Sequence, residues 1–416
     1  MTGKHMAFGD CPDDAALREA WGRFCDQLRE AGDKVFKEHN PANPLQRADA
    51  FRFLTQNLGQ AFDLALETRD TRYPMLHAFC TPTRKLGGDA ADFSYRQAWI
   101  DGRHVYRISG NTGTARFLNF TVQGSRPETQ PGTGWPSLHE PFGDIPEANL
   151  FKHQIQSAAD GSFELRVGGG KQGANWLPTT PGTRKLFIRQ GFDGWDETPA
   201  RLSIERIGME ESRPLPTPGS MCEAMAWAGN FLGGMMRDWP DHPYRYSGGI
   251  VDPACLNRFP PERCANSADD ARRGRLAAHM CWALAPDEAL IVEFDAHDGF
   301  WMVSLGGAFM NSMDYLYRPV SYTPARTRVD RDGKVRLILA HADPGYHNWL
   351  DAQGFAAGNL SYRNLMSTAT TTFHTRLLKR ADLAAALPAD SVRVTPHERV
   401  AQMHARFDSI RRRYGL

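Results

Sequence analysis

The chain reads as mainly β with flanking helices, an α+β class built from two related jelly-roll-like β-sandwich units with N-terminal, central and C-terminal helices. Three observations carry this expectation. From about residue 93, apolar residues alternate with period two in short segments broken by Gly, Pro and Asn, the pattern of half-buried strands. One strand-and-turn pattern occurs twice, near residues 160 and 332. Helical periodicity is confined to the two ends and one central stretch, so no strand–helix alternation supports a Rossmann or barrel fold.

The first 70 residues predict helices. Leu17, Trp21, Phe24 and Leu28 share one face of a helix that Gly32 ends. Leu45, Ala48, Phe51, Leu54, Leu58, Phe62 and Ala65 give a second apolar stripe after the Asn40–Pro44 turn. Strands are expected around Val105–Ile108, Phe117–Val122, Phe163–Val167, Lys185–Arg189 and Arg201–Ile207. The Pro-rich stretch Pro214–Gly219 reads as a linker. A capping box at Ser220–Glu223 opens a helix to about Arg237. Residues 239–273 read as a long loop rich in aromatic and charged residues. Strands resume near Leu276 and run to about Leu378. Thr395, Pro396 and Glu398 start a last helix with Val400, Met403, Phe407 and Ile410 on its apolar face. The implied divisions are 1–70, 71–213, 214–275, 276–380 and 381–416.

The repeat is specific enough to pair the two β regions. Asp160-Gly161 opens a strand and leads, fifteen residues on, to Asn175-Trp176-Leu177; Asp332-Gly333 does the same and leads, sixteen on, to Asn348-Trp349-Leu350. Each copy is followed by an arginine, Arg189 or Arg363, and Trp99 and Trp282 each precede a turn and two strands. Duplication explains these offsets better than chance.

The segments Asp101–Gly110, Asn175–Pro178, His341–Gly345 and Asn348–Asp351 carry a resemblance that covers roughly residues 70–400. They resemble a bacterial family known only as a domain of unknown function, numbered twelve-fourteen. The resemblance implies a β-rich fold and a soluble bacterial protein. It carries no activity and no catalytic residues.

Composition narrows the function classes. The 416 residues hold 49 basic and 48 acidic side chains, with 41% hydrophobic residues. This is globular composition without the basic field that nucleic acid requires. The N-terminus has no signal-peptide pattern and no apolar run is long enough to span a membrane. Seven cysteines without a C-x-x-C point to reduced thiols and a cytoplasmic location, although Cys255 and Cys264 could pair across a shared loop. Nucleotide-binding glycine motifs, zinc-protease motifs and the nucleophile elbow are absent. Gly168-Gly169-Gly170-Lys171 lacks phosphate-loop spacing and reads as a turn.

The candidate chemistry centres on His341 and Asp343, with His347 and Asp351 beyond them, where a strand enters a Pro-Gly loop. Three readings compete: an acid–base pair, a turn cap beside a structural histidine, or an iron site completed by His374 or His397. The metal set would be His341, Asp343 and His374. Tyr315, beside Asp314, is a further catalytic candidate. Trp239, His242, Tyr244, Arg245, Tyr246 and Arg258 could line a binding loop, and Arg189, Arg363, His104 and Tyr106 could hold substrate. The expectation is a hydrolase or lyase acting on a small, partly apolar metabolite by His/Asp acid–base chemistry. No nucleotide cofactor is expected, and a non-haem iron oxygenase is a sub-case. The alternative is a β-sandwich that binds a sugar or aromatic ligand without turnover. A small-molecule partner is expected, with no nucleic acid or membrane, and homo-oligomerisation is left open.

Overall fold

The computed structural model describes residues 11–38, 40–124, 145–240, 256–259, 276–367 and 371–416. Two helices come first, α1 (Asp14–Asp33) and α2 (Pro44–Phe62). Nine strands follow: β1 (His77–Cys80), β2 (Phe93–Trp99), β3 (Tyr106–Asn111), β4 (Phe117–Gly124), β5 (Ile145–Phe151), β6 (Ser162–Val167), β7 (Trp176–Leu177), β8 (Thr183–Gly191) and β9 (Arg201–Arg206). Helix α3 (Pro218–Asp238) leads to eight more: β10 (Leu276–Ala283), β11 (Glu288–Asp295), β12 (Trp301–Gly306), β13 (Ser321–Tyr322), β14 (Lys334–Ala340), β15 (Trp349–Asp351), β16 (Ala357–Asn364) and β17 (His374–Lys379). A one-turn helix, α4 (Leu383–Ala386), and α5 (Pro396–Tyr414) close the chain.

The strands form four sheets, in the orders β1-β2-β8-β4-β5, β7-β6-β3-β9, β10-β16-β12-β13 and β15-β14-β11-β17. Strands β2 to β9 map in order onto β10 to β17, and the sheet orders then coincide. Among the described strands only β1 has no counterpart. The duplication expected from the Asn-Trp-Leu repeat therefore extends to the whole topology, and the fold is mainly β with helices. In each copy the Asn-Trp-Leu strand pairs in parallel with the strand after the Asp-Gly turn: Arg166 with Trp176 and Ile338 with Trp349.

Alternation along the strands builds each core. In the first unit, Ile108, Leu165 and Val167 meet Phe120, Val122, Leu186 and Ile188. In the second, Leu290, Val292, Leu337 and Leu339 meet Met280, Trp282, Trp301 and Leu360. Fully burying one such side chain contributes about 1.5–3 kcal/mol. A third cluster packs Phe24, Phe53, Phe231 and Met235 of the helices against Phe79, Tyr95 and Trp99 of the first unit and Met302 and Phe309 of the second.

Three helical expectations need correction. Helix α2 turns Phe53, Leu54 and Ala61 inward, while Phe51 and Leu45 stay exposed; tertiary contact, not the widest apolar stripe, selected the buried face. Helix α3 starts earlier, with Thr217 accepting from the Ser220 backbone and Pro218 at the first helical position. Proline's fixed φ favours that start over Ser220. Helix α5 begins at Thr395, Pro396 and Glu398 as expected, but it buries Arg399, Arg406, Ile410 and Arg413, while Val400 is exposed. Among the described residues no helix is long and apolar enough to cross a membrane.

Candidate active site between the two units

The turn from β1 to β2 carries Lys85-Leu86-Gly87-Gly88-Asp89. Gly87 and Gly88 both adopt positive φ, 68° and 67°, which glycine alone takes cheaply. A Cβ on Gly87 would stand 3.0 Å from Trp239, and one on Gly88 3.2 Å from Met310. Opposite, the segment after β12 holds Met310 at φ 53°, a strained value for a side chain of that length. The Gly88 N–H donates to the Met310 carbonyl at 2.6 Å. Two unusual backbones thus lock together across the units.

This lock brings three reactive side chains into contact. The Ser312 hydroxyl donates to Asp89 Oδ2 at 2.5 Å and accepts from Lys85 Nζ at 2.9 Å. The Ser312 backbone N–H donates to Asp89 Oδ1 at 2.8 Å. Lys85 Nζ also lies 3.4 Å from the centre of the Tyr315 ring, a cation–π contact. Lys85, Asp89 and Ser312 are 3%, 7% and 3% exposed, so their environment is dry. Burial pulls the Lys85 ammonium down to about 8, against the opposing charge of Asp89. Burial also raises the Asp89 carboxyl, outweighing Lys85 and the Ser312 bonds. Perturbed groups in mutual contact are the arrangement that acid–base chemistry uses.

Five further groups border this triad. Arg363 on β16 donates to the Gly88 carbonyl. The Tyr315 hydroxyl lies 3.4 Å from that of Tyr414, which donates to the Phe93 carbonyl at 3.0 Å. Asn311 donates to Asp49 at 3.2 Å, and burial raises the Asp49 carboxyl. Three residues singled out in the sequence therefore meet here: Tyr315, Arg363 and Trp239. Sequence reading missed Lys85, Asp89 and Ser312. Two glycine pairs were the available signal, Gly87-Gly88 and Gly306-Gly307, since paired glycines mark close backbone approach.

The other candidates are placed elsewhere. His341 and Asp343 hold different partners: His341 Nε2 contacts the Leu284 carbonyl at 3.2 Å. Asp343 caps its own turn through the Gly345 N–H and takes both Nε and Nη2 of Arg399, at 2.9 and 3.2 Å. The acid–base pair expected from the sequence is thus a turn anchor for α5 beside a separate histidine. Asp351 is buried against Arg318 at 2.8 Å and accepts from the Gln353 N–H. His347 contacts Asn348 and is held below the usual histidine range by burial. Arg189 donates to Asn119 within the first unit. It occupies β8 where Arg363 occupies the matching β16, as the repeat implied. His104 meets Arg206 at 3.0 Å. The Tyr106 hydroxyl donates to the Thr71 carbonyl at 3.0 Å and accepts from the Asp101 N–H, a corner contact.

Among the described residues no three His, Cys, Asp or Glu side chains come together to hold a metal. His341, Asp343 and His374 are accordingly no ligand set, because the first two are engaged as above and His374 pairs with Glu293 on an edge strand. His397 is exposed on the first turn of α5. His242, Tyr244, Arg245 and Tyr246 lie outside the described residues, as do Cys255 and Cys264. Arg258 lies in a short described segment whose Phe259 stacks on Phe373 with ring centres 4.1 Å apart.

No curated protein matches the chain. Among solved structures, an uncharacterised protein from Burkholderia cenocepacia superposes with a TM-score of 0.79 at 29% identity, covering 88% of this chain and 99% of its own. The VPA0106 protein from Vibrio parahaemolyticus follows with a TM-score of 0.43 at 11% identity, covering 85% of this chain and 100% of its own. The model of a family described as "protein of unknown function (DUF1214)" matches residues 92–190. That stretch runs from the end of the Lys85–Asp92 turn through β8, so the similarity to this family falls on the first β unit of this chain.

Proposed function

We propose that the protein is a hydrolase with a serine nucleophile, acting on a small, partly apolar ester or amide without a nucleotide cofactor. The observation that carries this reading is the Ser312 hydroxyl held between Asp89 and Lys85 in a dry site. As Ser312 Oγ attacks a carbonyl carbon, its proton passes to Asp89, whose raised basicity suits the transfer. The Lys85 ammonium offsets the negative charge that develops. Asp89 then returns the proton to the leaving alcohol or amine, and water repeats the sequence to release the acid. Because the three groups are nearly fully buried, the covering side chains part before substrate enters. A cytoplasmic location and the absence of nucleic-acid or membrane partners belong to the same proposal. The near balance of 49 basic and 48 acidic residues supports the lack of a nucleic-acid partner, the seven cysteines without a C-x-x-C support the location, and the lack of a long apolar run supports the lack of a membrane partner.

A fluorophosphonate probe tests the proposal, with the modified residue mapped by mass spectrometry. The expected result is one adduct, on Ser312, absent from Ser312→Ala and strongly slowed in Lys85→Met. The labelling rate should fall as pH rises through about 8, because the mechanism needs Lys85 charged. A rate that climbs through the same range would assign Lys85 as the base instead. An unlabelled wild type that binds aromatic or sugar ligands would return the protein to the non-catalytic reading.

A further inference from the structure

Arginine recurs every seventh residue on α5, at Arg399, Arg406 and Arg413. Seven residues make two helical turns, so the three side chains share one face, and that face is buried. Arg399 is fully employed on Asp343 and nearby carbonyls. The other two enter a different environment. They meet Arg326, from the helical turn Pro324–Arg326, around the carboxylate of Asp92. Arg326 Nη2 stands 2.6 Å from Asp92 Oδ2, whereas Arg413 Nη1 stands 3.8 Å from Oδ1. Asp92 is 0% exposed, Arg406 2%, Arg413 3% and Arg326 9%.

The charges here do not balance. Three guanidiniums face one carboxylate directly, with Glu197 acting on Arg413 from farther off, so positive charge is in excess. The neighbouring acids are committed: Asp193 is paired with Arg116 and accepts from the Ala325 N–H. Glu197 accepts from the Arg116 and Asp193 N–H groups. Arg406 does reach the Ser321 carbonyl at 3.0 Å. Among the described residues, however, Arg413 Nε, Nη1 and Nη2, Arg406 Nε and Arg326 Nη1 reach no hydrogen-bond acceptor. Buried, unpaired N–H groups on an excess of like charge are costly. The Trp195 ring covers all three guanidiniums, at 4.0, 4.9 and 5.8 Å from its centre. A ring face spreads such charge but accepts no full hydrogen bond.

The geometry points to an internal binding site for a small oxyanion, a carboxylate or an inorganic phosphate, between Arg326, Arg406 and Arg413 beneath Trp195. Guanidinium groups suit such ligands because their N–H groups present a planar fork of donors. The bound anion would offset the excess charge and tie α5 to the Asp92 turn and the Pro324–Arg326 turn. This site is separate from the Ser312 triad and does not depend on its role.

The test uses the full chain at low ionic strength. Sodium phosphate, sodium acetate and sodium chloride are titrated at matched ionic strength while heat of binding and tryptophan fluorescence are followed. Saturable binding of phosphate or acetate is expected, with a rise in thermal midpoint that chloride does not reproduce. Saturation by phosphate alone identifies a phosphate source, and saturation by acetate a carboxylate source. Arg413→Gln should weaken binding by about tenfold or more. Trp195→Phe, which keeps the ring cover, should retain the binding heat and lose the fluorescence change. No saturable response to either oxyanion overturns the proposal. So does a fluorescence change that survives in Trp195→Phe, a result that stands even where Arg413→Gln does not fold.

Discussion

The two β units share a plan and differ in what covers it. In both, an asparagine clamps the strand before it. Asn175 donates to the Gln156 and Glu164 carbonyls and accepts from the Gln156 N–H. Asn348 donates to the Arg328 and Arg336 carbonyls and accepts from the Arg328 N–H. The following tryptophan matches too: Trp176 Nε1 donates to the Gly168 carbonyl and Trp349 Nε1 to the Ala340 carbonyl. Yet Asn175 is only half-buried, with its hydrogen bonds open to solvent, whereas Asn348 is 7% exposed. The C-terminal segment makes the difference: Leu387, Ser391 and Val392 border Asn348, and Arg399 of α5 lies over the Trp349 ring at 5.2 Å and reaches the Tyr346 and His347 carbonyls. One motif therefore has two energetic settings. A hydrogen bond shielded from water is expensive to leave unmade, while an exposed one is replaced by solvent.

This difference can be broken most forcefully at Arg399. Arg399→Ala strands the Tyr346 carbonyl under α5 and removes the partner of the partly exposed Asp343, and should cost about 2–3 kcal/mol. Urea unfolding would measure the loss, and a cost under about 1 kcal/mol would mean that α5 adds little to the second unit. The next effect probes β1, the strand with no counterpart. Burial, reinforced by Arg84, holds the His77 imidazole down to about 4 from 6.5. The unfolded chain then takes up a proton that the folded chain refuses, so stability is lost as pH falls from about 6.5 towards 4. His77→Phe should flatten this limb by about 2 kcal/mol, read from midpoints at successive pH values. The smallest effect sharpens the comparison itself. Asn348→Ala should cost about 2 kcal/mol and Asn175→Ala about 1 kcal/mol or less. Equal costs would show that burial does not separate the copies.

Much of this was legible because it is local. Alternation marked the strands, Asp-Gly turns marked the copies, and Thr395, Pro396 and Glu398 marked the start of α5. The His341-x-Asp343 motif illustrates the boundary. Its spacing suits an acid–base pair, but Asp343 faces Arg399, fifty-six residues away. A nearby sequence position says nothing about which distant cation will arrive. Lys85 and Ser312 are 227 residues apart, and no periodicity connects them.

By itself the sequence determined the fold class, the duplication and the start of α5, because each follows from backbone preference and apolar patterning within some twenty residues. Only the tertiary structure decided where charge is buried. Exposed or buried, an arginine at every seventh position of a helix looks the same in sequence. Arg399, Arg406 and Arg413 became interior groups when the two units and α5 closed around Asp343 and Asp92. Burial removes water from both partners, and that desolvation is a property of the assembled surfaces rather than of any residue alone.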